Sequence, residues 1–592
     1  MSHIKTIFYD KVDRNCPLNE YPRPQLQRDF WVNLNGEFDY AVTGDVAAAP
    51  EKYDGKIIVP FAIECALSGV ERAFMSDEIL WYRKKFTLSD EFAGKEVIIN
   101  FDAVDWQCKV FVNGKFVGEH TGGYNAFSFN ITSFVTDGEN ELVVRVYDPT
   151  DSGWQQRGKQ VIESTGFWYT GTSGIWQTVW LEAVDKTRIE KIRLLPDIDN
   201  GTINVKTTVT GDESYTLTAK IYDGEKEIVK TEISADADIS VPDFKLWSPE
   251  EPNLYDMILE VSVDGQVKDT VKTYFGMRKF SMGKDKDGYM RLCLNNKPYF
   301  HNGLLDQGYW SDGGLTPPSD EAMIYDIQKM KELGFNMLRK HIKTEPARWY
   351  YHCDRLGMLV WQDMISGGKA LNLIYAGVIP TAQGVLSPLK RLSVKDNRYK
   401  LFNRDKKEWR DFFEKEMYEM MDELYNCVSL ATWVPFNEGW GQFDAGRIGN
   451  DVKKYDPSRH CDHASGWYDQ KAGDFRSIHK YILPVNIPKK EEDRAYVLSE
   501  FGGYSQVLDG HVWNEKRSFG YMMYKSKADL TAAYKKLYEK QIIPKISKGL
   551  SALVYTQVSD VEFEVNGILT YDRAIVKIDE DTIKDINSRI KL

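Results

Sequence analysis

No run of apolar residues in this chain is long enough to span a bilayer, so a helical membrane protein is excluded. No CxxC pair occurs, and the cysteines are odd in number: Cys16, Cys65, Cys108, Cys293, Cys353, Cys427 and Cys461. A fully paired disulfide framework is excluded, and reduced, mostly buried thiols are expected. The nine histidines show neither HxxxH nor HExxH spacing, and Cys461/His463 is too sparse, so no metal is expected. No glycine loop is placed to cradle phosphate, because Gly122-Gly123 runs into Tyr124 as a turn, and no cofactor is expected. Basic excess is also lacking: the net charge of −12 disfavours nucleic acid and anionic membranes as partners. Met1 to Asp10 carries no apolar core or small-residue cleavage site, which sets the expectation of a cytoplasmic location.

What remains is a long chain rich in rings. At 592 residues it exceeds one hydrophobic core, so several domains are expected. Its 16 Trp and 33 Tyr suit β-rich cores and also clefts that stack on sugar faces. Residues 1–182 alternate in short runs such as Trp81–Phe86, Glu96–Phe101, Lys109–Lys115 and Asn140–Tyr147, with Asn113-Gly114 as a hairpin signal. A sandwich or jelly roll follows from that pattern. Residues 183–280, with runs such as Ile203–Val209, Tyr215–Tyr222 and Met257–Val263, have the size of an immunoglobulin-like sandwich.

From 281 to 592 strands alternate with helices. Eight strands are expected: Tyr299–Leu305, Asn336–His341, Met358–Gln362, Leu430–Asn437, His460–Gly466, Phe475–Tyr481, Ala495–Glu500 and Ala552–Gln557. Eight such units make a closed (β/α)8 TIM barrel, whose chemistry sits at the C-terminal ends of the strands. The insert 364–405 reads as a loop over that face.

Two strand ends carry the main signal. Ala431-Thr-Trp-Val-Pro-Phe-Asn-Glu-Gly439 covers strand four and the glutamate just after it, and Ala495-Tyr-Val-Leu-Ser-Glu-Phe-Gly-Gly503 begins as strand seven, which ends at Glu500. These strands lie nearly opposite in an eight-strand barrel, so Glu438 and Glu500 can face each other as the paired carboxylates of a glycosidase. Glu438 is assigned as acid/base and Glu500 as nucleophile. Asn437 is placed to bind a 2-hydroxyl, and Arg339 and Tyr481 to keep Glu500 ionised. His341 and His479 are candidate sugar contacts. A non-catalytic carbohydrate-binding scaffold, the alternative, has no need of two facing carboxylates.

The chain resembles glycoside hydrolase family two, the family of β-galactosidases, β-glucuronidases and β-mannosidases. The resemblance rests on Leu80-Trp-Tyr-Arg-Lys-Lys-Phe86, Val112-Asn-Gly-Lys115, Ser173-Gly-Ile-Trp-Gln177, Phe275-Gly-Met-Arg278, Asn296-Lys-Pro298, Phe335-Asn-Met-Leu-Arg339, Asn437-Glu438 and Ser499-Glu-Phe-Gly-Gly503. It implies a jelly-roll sugar-binding-type domain, an immunoglobulin-like domain and a catalytic barrel, in that order. It also implies a retaining, exo-acting enzyme on an oligosaccharide or glycoside, β-galactosidase-like by prior, with the same roles for Glu438 and Glu500. Homo-oligomerisation stays open.

Departures bear on the sugar. Where galactosidases and glucuronidases of this family place a first-domain aspartate, this chain has Trp168, so an altered glycone preference is expected, with arabinoside, glucuronide or mannoside specificity open. The stretch after strand eight, Glu564-Val-Asn-Gly-Ile-Leu569, lacks the lysine that holds a uronate, which argues against a uronic acid. The aromatic expected at the end of strand eight is Tyr555. The loop Leu304-Leu-Asp-Gln-Gly-Tyr-Trp310 replaces a more polar one, leaving Asp306 as its acid and Trp310, with Trp467, as stacking candidates.

Overall fold

The computed structural model describes residues 4–46, 48–211, 214–369, 394–481, 484–487 and 490–592. Most of the insert expected over the catalytic face, 370–393, lies outside them. Among the described residues, no helix is long and apolar enough to cross a membrane.

The first β region packs two antiparallel sheets. One has four strands, in the order Trp31–Asn33, Val179–Val184, Glu96–Phe101 and Phe127–Asn130. The other has six, in the order Gly55–Val59, Gly36–Thr43, Ile79–Thr87, Glu139–Tyr147, Gln107–Val112 and Lys115–Thr121. Alternation drives this packing: along Gln107–Val112 every second residue is buried, and Cys108, Val110 and Val112 join Phe38, Leu80, Ile99 and Leu181 in one core. The Asn113-Gly114 hairpin forms as expected, with φ of 51° and 72° at its two central residues, which suits a right-twisted ribbon. A second sandwich follows, with a three-stranded sheet over Arg188–Ser240 and a four-stranded one over Thr216–Phe275.

The C-terminal region forms a nearly closed parallel barrel. Its strands are β1 (His301–Asp306), β2 (Met337–Lys340), β3 (Leu359–Asp363), β4 (Leu430–Val434), β5 (His460–Cys461), β6 (Phe475–Lys480), β7 (Ala495–Gly502) and β8 (Leu550–Thr556). They pair in the order β5-β4-β3-β2-β1-β8-β7-β6. β4 and β5 are shorter than expected: β4 stops at Val434 before Pro435, which has no N–H to give, and β5 pairs only over His460 and Cys461. Met337, Leu359, Trp361, Phe475, Val497, Ala552 and Val554 fill the lower interior, closed beneath by Leu292 and Leu294 of the hairpin before β1.

The first sandwich docks on the barrel through one buried acid and holds a second within itself. Glu416, on the helix Lys407–Glu423, accepts from Gln156 and is 3% exposed. Glu64 accepts from Ser173 N at 3.1 Å. Burial pushes each carboxyl up to about 8. An acid whose folded pKa is raised stays protonated while the unfolded chain ionises. Stability is therefore fully present below about pH 4.5 and falls as pH rises towards 8. Thermal unfolding from pH 5 to 8 is expected to show a falling midpoint, and Glu416→Gln to flatten that fall and raise the midpoint at pH 8 by a few degrees. A parallel slope in the variant would assign the pH dependence elsewhere.

Candidate active site

The carboxylates stand where they do because two strands depart from regularity. After Pro435 the chain leaves β4, and the Ser465 backbone holds it on both sides: Ser465 N donates to Phe436 O at 2.8 Å, and Glu438 N donates to Ser465 O at 3.0 Å. Glu438 itself takes φ +51°, a strained left-handed conformation for a side-chain-bearing residue, followed by Gly439 at +72°. In β7 the pairing with β8 jumps from Leu498 to Phe501, and against β6 His479 pairs with Glu500 while Ser499 is skipped. The bulge swings Glu500 into the barrel mouth.

Glu500 is 3% exposed and held from several sides. Arg339 Nη1 donates to its Oε1 at 3.2 Å and the Tyr481 hydroxyl donates to its Oε2, while His479 Nδ1 lies 3.4 Å from Oε2. Burial opposes its charge, but His479, Arg339, His341 and the Tyr481 hydroxyl outweigh that and hold the carboxyl below the ordinary glutamate range. His479 Nδ1 also lies 2.7 Å from Glu438 Oε1, and its Nε2 is 3.1 Å from Ser465 Oγ. His479 Nδ1 therefore lies between the two carboxylates. One oxygen of each carboxylate and this nitrogen lie within 4.8 Å of one another, an arrangement that could also hold a cation.

Arg339 organises the floor. It is fully buried and gives two bonds to Asp363, at 2.9 and 3.0 Å, one to Asn437 Oδ1 at 2.9 Å and one to Ser499 O at 3.0 Å. Its partners raise its affinity for the proton further, against burial, so it is a permanent cation. His341 Nδ1 lies 2.9 Å from Asp363 Oδ2, and burial followed by the charge of Lys159 pushes its imidazole well below the usual histidine range. Asn437, Arg339, His341, His479, Tyr481 and both glutamates thus form one bonded network.

Trp467 stands beside it, its ring 6.5 Å from that of His479. Trp168 reaches the rim from the first sandwich, edge-on to Trp440 at 5.0 Å, and its neighbour Phe167 meets Phe519 at 5.6 Å. Two expected contacts face away from the cup. Tyr555 packs against Phe501, Tyr534 and Tyr538 in the helical layer, since Val554 and Thr556 take the inward positions of β8. Asp306 faces the same outer layer, bound to Lys340 Nζ at 2.7 Å, which itself lies over Trp349. Trp310 is buried against Phe8 and Arg573.

Sequence reasoning missed Asp363, Thr556 and Tyr521. Asp363 ends β3, the same strand-end signal that singled out the glutamates. Thr556 Oγ1 lies 3.2 Å from the Tyr481 hydroxyl, and Tyr521 stacks on Tyr481 at 3.9 Å.

Comparison with known proteins agrees along nearly the whole chain. Residues 32–184 match the sugar-binding domain of glycosyl hydrolases family 2, residues 187–278 match a second domain described by that family name, and residues 289–577 match its TIM barrel domain. A β-galactosidase of Streptococcus thermophilus is 30% identical over 296 residues, 48% of this chain and 27% of that protein. A β-galactosidase of Clostridium acetobutylicum is 26% identical over 531 residues, 83% of this chain and 53% of that protein. The chain thus spans about a quarter to a half of the length of these relatives. Among solved structures, a β-D-glucuronidase of Dictyoglomus thermophilum shares the fold with a TM-score of 0.74 at 15% identity, over 96% of this chain and 98% of that one. Three domain matches in the family's order, over the architecture described above, place this chain in glycosyl hydrolase family 2.

Proposed function

We propose that this protein is a retaining exo-glycosidase that removes a terminal sugar through a covalent glycosyl-enzyme. The observation that carries the reading is the facing pair: Glu500, held charged, and Glu438, with oxygens within 4.8 Å of each other. Retaining pairs stand about 5–5.5 Å apart, whereas inverting pairs need about 6.5–9.5 Å to admit a water between acid and sugar.

In the first step the Glu500 carboxylate bonds to the anomeric carbon as the glycosidic bond breaks, and the Glu438 proton passes to the departing oxygen. In the second, water bonds to the same carbon and gives its proton to Glu438. The ester bond breaks and Glu500 regains its charge. Arg339 and Tyr481 keep Glu500 ionised and aimed, and Asn437, fixed by Arg339, offers its amide N–H to a sugar hydroxyl. The contacts of Trp168 with Trp440 and of Phe167 with Phe519 wall the cup on two sides, which favours a terminal residue over a chain interior.

The names of the curated relatives favour a β-galactoside as glycone. Glucuronide, arabinoside and mannoside are the alternatives. A panel of nitrophenyl glycosides, with the first-formed product anomer read by NMR, tests the reading. Turnover of at least one member with retained configuration is expected. No turnover at all would favour a binding protein, and an inverted product would exclude the covalent route.

A further inference from the structure

Lys159 belongs to the first sandwich, yet its charge lies at the catalytic cup. The segment before it crosses onto the barrel: Arg157 N and Gly158 N both donate to Ser366 O, at 3.1 and 3.0 Å. Gly158, at φ +62°, comes so close that an added Cβ would stand 2.9 Å from the carbonyl oxygen of Ile342, the residue after His341. Only glycine fits this approach, and it sets Lys159 beside the end of β2. The ammonium lies 5.4 Å from the ring centre of Tyr169 and 5.9 Å from that of Phe167, the two neighbours of Trp168. The Tyr169 hydroxyl in turn donates to Glu564, in the loop after β8. Lys159 therefore stands on the wall between the ends of β2 and β8.

Several other charges of the cup are matched. Arg339 answers Asp363 and Glu500, and His479 bridges the two glutamates. The Lys159 ammonium has no hydrogen bond or ion pair among the described residues, and it stands over the rings of Phe167 and Tyr169. Its charge is nevertheless felt inside the cup, where it adds to burial in disfavouring protonation of His341. An unpaired cation over aromatic rings at the edge of a buried site is suited to an anion, because a charge-assisted bond strengthens as water is excluded.

We propose that Lys159 is a specificity-determining residue that pairs with a negatively charged group, carboxylate or sulfate, on the sugar held in the cup. This rests on the glycosidase reading above. It also revises the expectation drawn from the missing lysine after β8: the cation comes from the first sandwich instead of the barrel.

The test uses the full chain and matched pairs of nitrophenyl β-glycosides: galactoside with galacturonide and 6-sulfogalactoside, and glucoside with glucuronide. Wild type is expected to favour an acidic member over its neutral partner by about 10²-fold in kcat/KM, with KM for that member rising with salt. The uronide and sulfate arms separate carboxylate from sulfate. Lys159→Met is expected to cost the acidic substrate about 10²-fold and the neutral one less than about threefold, with Lys159→Arg restoring part of the loss. Turnover that favours the neutral members in wild type, or an equal loss on both classes in Lys159→Met, overturns the assignment and leaves the glycosidase reading standing. No turnover of any substrate by folded wild type overturns both. The wild-type ratio and its salt dependence decide the matter even if Lys159→Met fails to fold.

Discussion

Glu500→Gln is expected to lower kcat by about 10³-fold or more on every substrate the wild type hydrolyses, with little change in folding. The amide keeps the size of the carboxylate and can still accept from Arg339 or Tyr481, so the loss reports the missing nucleophile and not a collapsed site. The groups around Glu500 fit that role: Arg339 is a permanent charge, Tyr481 donates to the second oxygen, and the Ser499–Glu500 bulge fixes the carboxylate's aim. A 2-fluoro glycoside with a good leaving group should form its ester faster than the ester hydrolyses. Digestion of the trapped protein should find the added mass on the peptide bearing Glu500. A label on Glu438, Asp363 or any other carboxylate would move the nucleophile and undo the assignment.

How much of this was legible in the sequence depended on whether a residue's placement followed from local pattern. Apolar runs alternating with helical stretches mark the eight barrel strands, and polar residues at or near strand ends include Arg339, Glu438, His479, Tyr481 and Glu500. Strand parity was the weak point. Tyr555 and Asp306 stand where the family resemblance puts contacts, but side chains alternate along β1 and β8, and both fall on the helical side. Glu500 shows the converse: with Ala495 and Val497 inward, plain alternation would send it outward, and only the bulge turns it in. No local residue pattern announces that bulge. Trp168 was noticed as a departure from a family pattern, whereas its partner Trp440 and the nearby Lys159 needed the packing of the first sandwich on the barrel, which joins residues hundreds of positions apart.

Glu438→Ala should separate substrates by their leaving groups. With no acid to protonate the departing oxygen, glycosides with poor leaving groups should lose about 10²- to 10⁴-fold in kcat/KM, while dinitrophenyl glycosides, which need little proton assistance, should lose far less. The geometry favours Glu438 over Glu500 for this duty. Its side chain is 29% exposed against 4% for Glu500, so the aglycone and the incoming water reach it first. Its hydrogen bond to His479 gives the carboxyl a fixed orientation without the permanent cation that holds Glu500 charged. Removing the side chain also opens a space beside the glycosyl-enzyme. Azide, a nucleophile that needs no general base, should enter it, restore turnover of activated substrates and leave a glycosyl azide of retained configuration. A uniform loss across all leaving groups, with no azide product, would show that Glu438 positions the substrate without transferring its proton, and the acid would then have to be sought elsewhere in the cup.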